Sequence, residues 1–305
     1  MEKFEVNILG CGSAVPTGRH MTTAQLVNVH DKLFLVDCGE GTQTQIWKSG
    51  VKVTNMNHIF ISHAHGDHFF GLVPLLSSLN LMLDRTADLH LWLPAALEEP
   101  LRRDIEAYCY MPFKLIMHPL DTTKQTVLYE DKEMKVETIP LNHRVPCCGF
   151  LFSEKQKPPV LLPEKCKAYG IPPRELGKIK NGADWTLEDG TVIPNSELTA
   201  ASDFVPRKYA YCSDTAYYPE MIPQIQGANL LYHEATFTSE DEQQAVNAAH
   251  STAAQAATIA RDAKVGKLAI GHYSIRYTDE ETLLAEAQGI FPNTVASQEG
   301  MTISV

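Results

Sequence analysis

Residues 63 to 68 read His63-Ala64-His65-Gly66-Asp67-His68, three imidazoles and a carboxylate within six positions. Imidazole nitrogen and carboxylate oxygen suit a divalent cation, zinc first, with manganese or iron as competitors. Partners on one helix face sit three or four residues apart, so this spacing predicts a tight loop in which the four groups converge. An apolar stretch, His58-Ile59-Phe60-Ile61-Ser62, precedes the cluster and reads as a short buried strand. Helix-compatible residues, 69 to 83, follow it. The cluster therefore falls at the carboxyl end of a strand, where open α/β sheets place their ligands.

Other apolar strands end in the same chemistry. Lys208 to Cys212 runs into Asp214, Asn229 to Tyr232 into His233-Glu234, and Lys267 to Gly271 into His272; His143 closes a further apolar segment. Strand ends on one edge of a sheet lie close together. The candidate ligands are His63, His65, Asp67, His68, His143, Asp214 and His272. A catalytic ion takes about three protein ligands and keeps one open position. Seven is too many for one ion and suits two, with Asp214 giving one oxygen to each. Two ions about 3.5–4 Å apart form a clamp for hydrolysis, in-line displacement at phosphorus above all. Asp37, at the end of another strand, reads as a partner behind a ligating histidine. The turn Gly10 to Thr17 is built to approach a ligand closely. His90, His118 and His233 read as structural.

The elements that must position these groups fit one large α/β domain spanning residues 1–305. Strands are expected at 4–9, 26–29, 33–36, 89–93, 113–118, 126–129 and 133–138, and helices at 95–110, 240–249 and 279–290. His250-Ser251-Thr252 separates the helix at 240–249 from a second, Ala-rich one running to Lys264, with Ser251 as its expected cap. No apolar run reaches the 18 or so residues of a membrane span, and the first residues lack the apolar core of a signal peptide. Seven cysteines without a CxxC pair point to a reducing, cytoplasmic setting. A net charge of −11 argues against a general nucleic-acid binder, so any polyanion must be held by local charge. Residues 153–200 are proline-rich with few apolar runs and read as an inserted arm. Between Ser153 and Lys180 they carry seven Lys or Arg against three Glu, an electrostatic handle for a polyanion.

Several stretches together resemble one family. His63 to His68 is similar to the HxHxDH signature of the metallo-β-lactamase superfamily. Gly12 to Thr17, Asp37 to Gln43, Asn142 to Pro146, Ser213-Asp214-Thr215, His233 to Phe237, His250 to Ala253, Gly271 to Ser274 and Arg276-Tyr277 narrow the resemblance to the short-form tRNase Z family, over essentially the whole chain. The resemblance implies a four-layer αβ/βα sandwich with a protruding arm, and a homodimer with two zinc ions per subunit (manganese or another divalent ion being able to serve). It implies endonucleolytic removal of the 3′ trailer from precursor tRNA, leaving a 3′-hydroxyl. His63, His65 and His143 would hold one ion, Asp67, His68 and His272 the other, and Asp214 would bridge them. Asp67 would orient the attacking water and act as base. His250, oriented by Glu234, would be the general acid. Ser251 and Thr252, at a helix N-terminus, would hold a phosphate oxygen. Lys178 and Lys180 would grip the tRNA from the arm, although the glycines that usually precede this basic stretch are largely replaced. The alternative reading is a hydrolase of the same fold acting on a small phosphodiester.

Overall fold

The computed structural model describes residues 2–83 and 85–305. Two seven-stranded sheets carry the chemistry. The first runs Thr302–Ser304, Phe4–Gly10, Ala24–Val29, Lys32–Val36, Met56–Phe60, Leu89–Pro94, Leu115–Leu120 in spatial order. The second runs Thr294–Ala296, Lys267–Gly271, Leu230–Glu234, Lys208–Cys212, Cys148–Glu154, Met134–Pro140, Val127–Glu130. Each sheet is mixed. Lys32–Val36 to Leu115–Leu120 are successively parallel, as are Lys208–Cys212 to Thr294–Ala296. Parallel neighbours end on the same edge, so the polar residues that follow them gather there.

The sheets face each other through aromatic side chains. Phe34 meets Phe152 at 5.6 Å and Phe60 meets Phe150 at 5.3 Å between ring centroids, distances at which offset or edge-on rings attract beyond their area. Alternate residues of the first sheet, among them Leu26, Leu35, Ile59 and Leu91, point outward. They bury Ile46 of helix Thr42–Ser49, Leu75 and Leu79 of Leu72–Leu83, and Leu101 and Ile105 of Ala95–Tyr108. Ala253–Asp262 and Glu281–Ile290 pack on the second sheet and on each other. The small residues Ala253, Ala256, Ala257 and Ala260 form the buried face of the first of these. Helix, sheet, sheet and helix make the four layers expected.

The chain divides into two compact units. One is Met1–Tyr129 with Val136–Phe152 and Lys208–Val305. The other, Glu130–Lys135 with Ser153–Arg207, contains the expected arm and extends past residue 200. This second unit has its own core, Cys166, Ile171, Ile179, Ile193 and Leu198, against which Tyr169, Leu176 and Trp185 pack. Glu154 pairs with Arg207 at 2.6 Å near its two ends. Its charge is segregated: the whole unit has ten Lys or Arg against eleven Asp or Glu, so the positive excess belongs to 153–180 alone.

Two local expectations are corrected. The 63–68 cluster is not all loop: Gly66–Phe69 forms one helical turn with His65 as its N-cap residue. Thr252, not Ser251, caps Ala253–Asp262, accepting from Gln255 N while the Gln255 side chain accepts from Thr252 N. This reciprocal pairing satisfies two otherwise open donors. All seven cysteines are free, and no helix among the described residues is long and apolar enough to cross a membrane.

Candidate metal centre

The strand Met56–Phe60 ends two residues before Ser62 and His63, and the following turn carries His65, Asp67 and His68. The chain can double back here because position 39 is glycine: a Cβ there would lie 2.2 Å from the Asp67 carbonyl oxygen. Asp37 and His272 adopt left-handed backbone angles, φ 56° and 61°. Such conformations cost of order 1–3 kcal/mol each in a non-glycine residue and persist where the surroundings over-determine them. Both residues follow core strands: His272 turns Nε2 toward Asp214 and Asp67, and Asp37 stands behind His68.

The seven candidate ligands converge. His63 Nε2 lies 3.0 Å from His65 Nδ1, which lies 3.3 Å from His143 Nε2. Asp214 Oδ2 faces this group, 3.5 Å from His63 Nε2 and 3.8 Å from His143 Nε2. Its other oxygen, Oδ1, lies 3.2 Å from both His68 Nε2 and His272 Nε2. Asp67 Oδ2 completes that second group, 3.4 Å from His272 Nε2 and 3.7 Å from His68 Nε2. One carboxylate thus divides its oxygens between two clusters of donors.

The donor set fits divalent metal. Zinc–nitrogen bonds of 2.0–2.1 Å make tetrahedral ligand–ligand edges of roughly 3.3 Å, the spacing seen among His63, His65 and His143. Four imidazoles are fixed from behind: His63 Nδ1 by Ser62 Oγ at 3.0 Å, His68 Nδ1 by Asp37 Oδ2 at 2.7 Å, His143 Nδ1 by the Ala249 carbonyl at 2.8 Å, and His272 Nδ1 by Thr236 Oγ1 at 2.9 Å. Such partners set which nitrogen faces the ion. The inward Nε2 atoms of His68 and His272 are buried without a hydrogen-bond partner among the described residues, a costly state that an ion relieves.

Electrostatics agree. Burial pushes the pKa values of His63, His65 and His143 down, keeping them neutral and able to ligate. Burial would push Asp214 up, but the imidazoles of His272, His68 and His63 hold it well below the usual carboxylate range. His68 goes the other way: burial alone would lower it, and Asp214, Asp37 and Asp67 raise it.

His250 stands beside both groups. Its ring stacks on His272 at 5.2 Å and lies 5.0 Å from the ring of His143. Nδ1 is 2.7 Å from Glu234 Oε1, and Nε2 is 3.9 Å from Asp214 Oδ2. Burial would lower its pKa, but Glu234 raises it to about 9. The cationic form is favoured despite the helix that begins three residues later.

Other expectations fare differently. Ser251 and Thr252 are buried, and the Ser251 hydroxyl donates to the Thr215 carbonyl at 2.7 Å. The N–H groups of Thr252, Ala253, Ala254 and Gln255 all have partners within the fold. The amides of this helix start are therefore all engaged within the fold, and both hydroxyl residues are buried. Lys178 and Lys180 are exposed on the helix Leu176–Lys180 of the second unit, with Lys178 Nζ paired to Glu175 at 2.7 Å. His90 and His118 bond each other at 2.8 Å. His233 Nδ1 faces the Glu234 carbonyl, and His233 belongs to none of the donor groups among the described residues. Sequence reasoning missed Tyr211, Thr236 and the Ala14 amide, which donates to Asp67 Oδ2 at 2.8 Å. Tyr211 stands two residues from Asp214's neighbour Ser213, yet a tyrosine in an apolar strand looks like core.

Residues 4–157 match the family model described as Anti-Pycsar protein Apyc1, and residues 194–273 the one described as Beta-lactamase superfamily domain. A Ribonuclease Z of Bacteroides fragilis is 52% identical over 306 residues, covering 100% of both chains. One of Phocaeicola vulgatus is 53% identical, covering 100% of this chain and 98% of that one. The crystal structure of human tRNase Z, short form, superposes with a TM-score of 0.71 at 24% identity, over 99% of each chain. With half its residues shared with relatives matched end to end, and with the same fold, the chain belongs to the ribonuclease Z family of the metallo-β-lactamase superfamily.

Proposed function

We propose that the chain is a metal-dependent endoribonuclease that hydrolyses the phosphodiester joining a precursor tRNA to its 3′ trailer, leaving a 3′-hydroxyl on the tRNA. The observation that carries this reading is the His250–Glu234 pair beside the two donor groups: a protonated imidazole next to a centre for hydrolysis is what departure of an alkoxide requires. Full-length kinship with Ribonuclease Z proteins supports the substrate.

His63, His65 and His143 would hold one ion, Asp67, His68 and His272 the other, and Asp214 both. Bound zinc, or manganese in its place, lowers the pKa of water and offsets charge on the phosphate. Asp67, fixed by the Ala14 amide, orients the attacking water and takes up its proton. His250 gives the Nε2 proton to the departing 3′ oxygen of the tRNA, the phosphate stays on the 5′ end of the trailer, and Glu234 stabilises the cation until then. Lys178 and Lys180 draw in tRNA phosphates from the arm, residues 153–200. The family resemblance supports a homodimer with two zinc ions per subunit, working in the cytoplasm.

Incubation with a 3′-extended pre-tRNA and, separately, with bis(p-nitrophenyl) phosphate tests the reading. A single cut at the trailer junction is expected; hydrolysis of the small ester without cutting the RNA overturns it. That outcome would favour a small-phosphodiester hydrolase, the reading to which the net charge of −11 and the charge balance of the arm unit lean.

A further inference from the structure

A second cluster of donors lies outside the centre described above. Cys11 Sγ lies 3.3 Å from His20 Nδ1 and 3.6 Å from Glu299 Oε1, and His20 Nδ1 lies 2.9 Å from Glu299 Oε2. These three residues come from the end of the first strand, the loop after it, and the turn before the last strand. Their atoms all fall within 4.8 Å of one another.

We propose that Cys11, His20 and Glu299 form a third metal site of the chain, selective for a zinc-like divalent cation. Zinc–sulfur bonds of about 2.3 Å and zinc–nitrogen or zinc–oxygen bonds of about 2.0–2.2 Å give tetrahedral edges of roughly 3.3–3.6 Å, which the two Cys11 spacings match, while the 2.9 Å His20–Glu299 contact is the hydrogen bond that an ion would replace. A thiolate, an imidazole and one carboxylate favour zinc over the hard ions magnesium and calcium. The outer shell is in place: His20 Nε2 is 2.8 Å from Glu280 Oε1, and Arg19 pairs with Glu280 in turn. A carboxylate behind the ligating histidine is the arrangement that orients such a ring and raises its basicity.

A fourth oxygen is at hand. The Ser297 carbonyl lies 3.4 Å from Cys11 Sγ, and the Ser297 hydroxyl is buried with no hydrogen-bond partner among the described residues. His20 also lines a cavity of about 220 Å³, with Val15, Arg19, Tyr273, Ile275 and Tyr277, which provides an entry path. Entry of a dication and release of two protons, one from the thiol and one from the imidazolium, leaves the net charge unchanged. The bound ion would strap the turn after the first strand to the C-terminal segment, one residue from His272 through Tyr273, whose ring centroid lies 5.5 Å from that of His20.

Cobalt reads this site apart from the first, because the first centre offers only nitrogen and oxygen. Metal-free full-length protein titrated with Co²⁺ should develop a near-ultraviolet thiolate-to-cobalt charge-transfer band. It should bind one ion per chain more than Cys11→Ser, which should lack the band. Glu299→Gln should weaken that one ion at least tenfold, and His20→Gln should abolish it. Absence of the band in the wild-type protein overturns the proposal whatever the variants do, and so does a band that survives in Cys11→Ser.

Discussion

Tyr211 donates its hydroxyl to Asp37 Oδ2 across the two sheets at 2.5 Å. The same carboxylate accepts from the Ser62 amide at 2.7 Å and the Ser62 hydroxyl at 2.9 Å, and it holds His68 Nδ1. Replacing Asp37 by Asn keeps the shape and tolerates the left-handed backbone, but removes the charge that fixes the His68 ring. Metal affinity should fall 10–100-fold, measured by competition with a chromophoric chelator. An unchanged affinity would mean that the carboxylate does not act through His68.

His250→Ala should retain its metal and lose turnover by about 10²–10⁴-fold, the usual worth of a general acid. Metal content comes from elemental analysis and turnover from single-turnover cleavage of pre-tRNA. Full activity in the metal-loaded variant would remove His250 from the mechanism.

An acid must carry its proton, so activity should be high below the pKa of His250 and fall as pH rises through it. Glu234 raises that pKa; Glu234→Gln should therefore move the alkaline limb to lower pH. The pH–rate profiles of the two proteins decide it, and coincident limbs would assign the titration to another group.

Lys178 and Lys180 are exposed on the second unit. Changing both to Ala should weaken pre-tRNA binding and reduce the slope of log affinity against log salt by about 1 for each phosphate left without its lysine. Hydrolysis of bis(p-nitrophenyl) phosphate should be unaffected. Equal losses on both substrates would argue against a role confined to RNA binding.

Thr252 caps the helix Ala253–Asp262, its hydroxyl accepting from Gln255 N. Thr252→Ala should cost about 1 kcal/mol of stability, read from denaturant unfolding of the whole protein. The KM for pre-tRNA should stay within twofold; a tenfold rise would return the hydroxyl to the substrate.

Much of the centre was legible because its chemistry is local or sits at strand ends. His63 to His68 are consecutive, and His143, Asp214 and His272 each follow an apolar run whose β character is plain. The partners behind them were harder to read. Ser62 and Asp37 lie on neighbouring parallel strands, so proximity follows from sheet order, whereas Tyr211 reaches Asp37 only once the second sheet is docked. Thr252 and Ser251 are adjacent hydroxyls, and the choice of cap turned on Gln255 standing three residues beyond Thr252. Cys11, His20 and Glu299 had no signal at all: one pair is 279 residues apart, and their meeting depends on the last strand lying beside the first.

Asp214 divides its two oxygens between donor groups drawn from both sheets, and the last of these donors, His272, lies 209 positions after the first, His63. Synthesis proceeds from the amino end and domains fold as units. A nascent chain carrying only His63 to His68 holds part of the donor set, and Asp214 and His272 join it only once the strands that precede them have docked. An ion held by both donor groups at once therefore requires the second sheet to have docked on the first.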